Sequence, residues 1–121
     1  MAVSDEAATQ TELDPARARQ LIDDGAELID VRRPYEWEGG HLEGARNVEL
    51  NEVTAASDSI PKDRPVLFYC RGGGRSQMAA EAFRQAGYDA YNMAGGIEAW
   101  VADGQPIEPA DGEIRAPLPP S

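Results

Sequence analysis

The chain has 121 residues and a formal charge of -11, from 22 Asp and Glu against 11 Lys and Arg. That length implies a single domain, and such acidity argues against nucleic acid or an anionic membrane surface as a partner. One cysteine, Cys70, excludes an internal disulfide and a cysteine-based metal cluster.

Met1–Gln10 is small, polar and aperiodic, and reads as a flexible N-terminal segment. It lacks the basic start and apolar stretch of a signal peptide. No apolar run approaches the ~18–20 residues of a spanning helix, so the expected compartment is the cytoplasm. Asp14-Pro15 predicts a helix start, with Asp as N-cap and Pro at the first helical position. Ala18, Leu21 and Ile22 share its apolar face, and Gly25 stops it. Glu27–Val31 predicts a short strand, followed by an irregular stretch from Arg32 to Arg46 that holds Pro34, Gly39, Gly40 and Gly44. Within it, Asp30 and Glu36 are expected to pair with Arg32 and Arg33. Asn47–Leu50 predicts a second brief strand and Glu52–Ser57 a short helix.

Val66-Leu67-Phe68-Tyr69 is the strongest strand signal, a continuous apolar run suited to burial on both faces. It leads into Cys70-Arg71-Gly72-Gly73-Gly74-Arg75-Ser76. A helix is predicted from Ser76 to Gly87, with Ala79, Ala82, Phe83 and Ala86 inside. A strand over Asp89–Asn92, a turn at Gly95-Gly96 and a last helix over Ile97–Asp103 complete the pattern. Trp37, Trp100, Phe83 and Tyr91 are assigned to the core. The domain is thus expected over residues 11–104, and residues 105–121 read as a Pro-rich, acidic, poorly ordered tail. Alternating strands and helices predict an α/β domain with a central, mostly parallel sheet flanked by helices on both faces.

The chemistry gathers where that central strand ends. Successive glycines let the amides of Gly72 to Ser76 converge on one point, a cradle reinforced by a helix N-terminus. Such a cradle favours Cys70 as thiolate and any negative group carried on its sulfur. Arg71 and Arg75 add cationic character on the same loop. The charge map agrees: residues 1–65 carry -8 and residues 101–121 carry -3, while residues 66–100 balance to zero with three acids and three bases. The loop lacks the Lys-Ser/Thr ending of a P-loop and the dinucleotide spacing. His41, the sole histidine, is read as structural rather than as a base toward Cys70.

Three motifs together resemble the rhodanese (thiosulfate sulfurtransferase-like) family in its single-domain form. They are Asp30-Val31-Arg32 leading through Glu36-Trp37 to Gly40-His41-Leu42-Glu43-Gly44-Ala45-Arg46-Asn47-Val48, the loop Cys70–Ser76, and Gly95-Gly96-Ile97 with Trp100. Glu43 and Glu49 stand where prolines are common in relatives. The resemblance implies sulfur transfer through a persulfide on Cys70, with Arg71, Gly72, Gly73, Gly74, Arg75 and Ser76 as the binding loop and no metal or cofactor. Its implied partners are a small anionic sulfur donor and a thiol acceptor such as glutathione or thioredoxin. A sulfur-carrier or regulatory module serving a protein partner is the alternative. A phosphatase or arsenate reductase on the same fold is disfavoured. Dual-specificity phosphatases of the cell-cycle type set the loop arginine one residue later than Arg75, leaving room for a tetrahedral oxyanion.

Overall fold

The structure is a computed structural model that describes residues 11–117; the Met1–Gln10 segment and residues 118–121 lie outside it. Among the described residues five strands are present: β1 (Glu12–Leu13), β2 (Glu27–Asp30), β3 (Arg46–Asn47), β4 (Val66–Tyr69) and β5 (Ala90–Met93). Five α-helices accompany them: α1 (Pro15–Asp23), α2 (Pro34–Gly39), α3 (Leu50–Val53), α4 (Gly74–Gln85) and α5 (Gly96–Ala102). The strands form one sheet in the order β1-β5-β4-β2-β3, and every pairing is parallel.

β4 lies at the centre, and all four of its residues are fully buried. The pleat sends them alternately to two layers. Val66 and Phe68 join Ile29, Val53, Ala79, Ala80 and Phe83, the side of α3 and α4. Leu67 and Tyr69 join Leu28, Met93, Ile97, Trp100 and Ala18, the side of α1 and α5. Each buried aliphatic or aromatic side chain contributes about 1.5–3 kcal/mol, so this double-sided strand is the best anchored element of the fold. It therefore gives Cys70, the next residue, a fixed base.

The Asp14 side chain accepts the Arg17 amide at 2.9 Å and caps α1, as its sequence implies. The predicted Asn47–Leu50 strand is shifted to Arg46–Asn47 and the predicted Glu52–Ser57 helix to Leu50–Val53, and three further features depart from expectation. The stretch after β2 holds a helix, α2, because Pro34 pre-sets its first turn and the Glu36 carboxylate accepts the Arg33 amide at 3.0 Å. α4 begins at Gly74, two residues early, inside the glycine run. Finally, the segment after Gly104 packs onto the domain as far as it is described. Ile107 and Ile114 cover the α1–α5 layer, and the Trp100 indole N–H donates to the Pro106 carbonyl at 2.8 Å. His41 and Glu108 exchange both backbone hydrogen bonds, and Arg115 lies over the Tyr35 ring, 4.6 Å from its centroid. A proline-containing segment suits an extended strap as well as a loose tail, and the packing of Ile107 and Ile114 decides for the strap.

Candidate active site

Cys70 follows β4 directly and is 1% exposed. Its sulfur accepts the Gly73 amide at 3.1 Å and lies 3.4 Å from the Ser76 hydroxyl, which is also buried. Gly73 caps α4 with a φ of +104°, a left-handed conformation that favours glycine. A Cβ there would stand 3.1 Å from the Gly95 nitrogen, so the position is constrained by space as well. The first amides of a helix have no intrahelical acceptor. In α4 these are the N–H groups of Gly73, Gly74, Arg75 and Ser76, and the first of them already serves the sulfur. The early start of α4 thus brings the positive end of a 12-residue helix against Cys70.

Two further elements hold the loop in this form. The Asn92 side-chain amide, from β5, donates to the Gly73 carbonyl at 3.1 Å and to Glu12 at 2.8 Å. That carbonyl also accepts the Gln77 amide and lies 3.3 Å from the Ser76 hydroxyl, which fixes the turn from which the α4 amides emerge. The start of α5 grips the other side: the Ile97 amide donates to the Cys70 carbonyl at 2.9 Å and the Glu98 amide to the Arg71 carbonyl at 3.1 Å. Gly95 and Gly96 permit this approach. A Cβ on Gly96 would fall 2.4 Å from the Arg71 carbonyl oxygen. The Gly95-Gly96-Ile97 motif is therefore a clamp on the Cys70 loop as well as a turn. Asn92 gave no sequence signal beyond being a polar residue in a predicted strand.

The two loop arginines differ: the sequence leaves Arg75 open between holding a donor and bracing the loop from inside, and puts Arg71 forward as the donor-holding residue. Arg75 makes a bidentate pair with Glu36, 2.9 Å at each contact, and Glu36 is fully buried. Burial pushes the Glu36 carboxyl up, but Arg75, the Arg33 amide and Arg32 together outweigh it and hold the group below its ordinary value. The same hydrogen bonds, against a smaller burial effect, raise the Arg75 guanidinium. Arg75 is a brace between α4 and α2. Arg71, at the loop mouth, has its Nε 3.3 Å from Glu98. Asp30 pairs with Arg32 as expected, at 2.7 Å and with both side chains fully buried, whereas Arg33 faces Glu49 at 3.8 Å. His41 stacks on Trp37, centroids 3.6 Å apart, with its Nδ1 3.1 Å from the Trp37 carbonyl, consistent with a structural role. Trp100 and Phe83 are core residues, while Trp37 and Tyr91 are half-buried. Among the described residues no cluster of three or more His, Cys, Asp or Glu could hold a metal ion, and no helix is long and apolar enough to cross a membrane.

The chain is similar to known proteins in sequence and fold. An uncharacterised protein of Bacillus subtilis is 45% identical over 76 residues, which cover 62% of this chain and 60% of that protein, less than two thirds of its length. The thiosulfate sulfurtransferase GlpE of Pseudomonas paraeruginosa is 36% identical over 98 residues, 80% of this chain and 86% of the relative. A rhodanese-related protein of Thermoplasma volcanium superposes with a TM-score of 0.74 at 26% identity, over 79% of this chain and 95% of that one. The model of the rhodanese-like domain matches residues 14–103, a span that runs from the cap of α1 to the end of α5 and contains the cysteine loop with both of its clamps. With that span matched throughout, the chain belongs to the rhodanese-like family.

Proposed function

We propose that the protein is a sulfurtransferase that carries a sulfane sulfur on Cys70. One observation carries the reading: at the N-terminus of α4 the Cys70 sulfur already accepts the Gly73 N–H at 3.1 Å. In the first half-reaction the Cys70 thiolate attacks the outer sulfur of thiosulfate or a similar donor. The donor S–S bond breaks, and its electron pair leaves on sulfite. The terminal sulfur of the resulting persulfide is anionic, and the amides of Gly74, Arg75 and Ser76 are the groups that would face it. In the second half-reaction a thiol such as glutathione or thioredoxin, or cyanide, takes that sulfur and restores the Cys70 thiolate.

The sulfur travels on the protein itself, so the two half-reactions separate in time. The engagement of Arg75 with Glu36 supports sulfur over phosphate, because a phosphate cradle needs an arginine free to close on the oxyanion. Intact-mass spectrometry after thiosulfate treatment tests the reading. One added sulfur atom on the wild type and none on Cys70→Ser is the expected result. An unmodified, fully reduced wild-type thiol would overturn it, as would turnover of an aryl phosphate without any of thiosulfate.

A further inference from the structure

We infer that Glu98 is a specificity-determining residue, which selects singly charged sulfane-sulfur donors over the thiosulfate dianion; this rests on the sulfurtransferase reading of the same loop. Among the described residues both loop arginines face a carboxylate, Arg75 with Glu36 and Arg71 with Glu98. The two pairs differ in kind. The first is bidentate and its carboxylate is buried. The second joins side chains that are 39% and 50% exposed, at 3.3 Å. The Arg71 Nε is buried yet makes no hydrogen bond, so the contact is an electrostatic one that leaves this donor unsatisfied. Arg71 is thus neutralised but available to a better acceptor.

Glu98 is placed to judge that acceptor. Its own amide is bonded to the Arg71 carbonyl, which fixes its backbone against the loop. Its carboxylate also lies beside the exposed Gly72 of the loop, with Oε1 3.7 Å from where a Cβ on that residue would stand. An entering anion must compete with this carboxylate for Arg71 and pass beside its charge. A donor with two negative charges suffers about twice the repulsion of a donor with one. The transfer chemistry is otherwise the same. With an alkyl thiosulfonate the Cys70 thiolate attacks the outer sulfur, the donor S–S bond breaks, and the electron pair leaves on a sulfinate.

The test compares thiosulfate with methanethiosulfonate in wild type, Glu98→Gln and Arg71→Gln, with cyanide as acceptor. Glu98→Gln should raise kcat/KM for thiosulfate about 1.4- to 5-fold more than for methanethiosulfonate, the range measured for exposed charge pairs, and through KM. Arg71→Gln should move the ratio the other way. A Glu98→Gln protein that changes both donors equally overturns the inference while leaving the sulfurtransferase reading intact. A wild type that forms no persulfide with either donor overturns the reading and the inference with it.

Discussion

Replacing Arg75 by alanine removes the partner of a carboxylate that has no access to water. Glu36 is 0% exposed and would lose two charge-assisted hydrogen bonds of 2.9 Å, keeping the Arg33 amide and the nearby Arg32 charge. Breaking a buried pair in this way costs about 3–5 kcal/mol, and the retained contacts put the expected loss near the lower end, about 3 kcal/mol. For a domain of this size that corresponds to a fall in Tm of about 10–15 °C. The loss should depend on pH. Because Glu36 titrates below its ordinary value of 4.5 in the folded protein, its pair stabilises fully above that value. The contribution disappears as pH falls through the folded value, so the gap between wild type and Arg75→Ala should narrow in acid. Urea unfolding at neutral pH and near pH 3–4 measures both quantities. A donor-binding role for Arg75 makes the opposite forecast, a raised KM for thiosulfate with stability nearly unchanged. A loss below about 1 kcal/mol that is the same at both pH values would refute the brace.

Three other perturbations probe the supports of the loop and of the domain. Gly96→Ala places a methyl group 2.4 Å from the Arg71 carbonyl at a φ of +61°, so sulfur loading should drop sharply and stability by about 2–4 kcal/mol, read by mass spectrometry and denaturant titration. Asn92→Ala removes the donor to the Gly73 carbonyl; we expect a loss of about 1–2 kcal/mol and slower persulfide formation in stopped-flow traces. Truncation after Gly104 strips Ile107 and Ile114 from the α1–α5 layer and the acceptor from the Trp100 indole, for a loss of about 2–4 kcal/mol in urea. A truncated chain as stable as the full one would return residues 105–117 to the status of a tail.

Much of this arrangement was legible before the structure. The four apolar residues of β4 point to a buried central strand, and the three glycines behind the cysteine at its end point to the tight turn whose Gly73 amide meets the sulfur. Asp14-Pro15 gave the start of α1 because capping is a local interaction. What sequence could not supply was partner choice across the fold. Arg75 and Glu36 are 39 residues apart, and nothing local distinguishes an arginine that braces from one that binds a donor. Asn92 reaches Gly73 from a neighbouring strand, and that contact depends on the parallel register of β4 and β5. α2 was hidden because two glycines and a proline in a short stretch resemble a loop, although Pro34 at the first helical position is itself a start signal. The strap after Gly104 resembles a tail because prolines and acidic residues dominate its composition, whereas Ile107 and Ile114 reveal their role only against the α1–α5 layer.

The covalent intermediate is the central claim, and it has a direct measurement. With thiosulfate present and every acceptor withheld, the protein should release sulfite in a rapid burst that ends at one equivalent per chain, and Cys70→Ser should release none. Sulfite that appears only after an acceptor is added would mean that sulfur passes directly from donor to acceptor, and the persulfide on Cys70 would have to be abandoned.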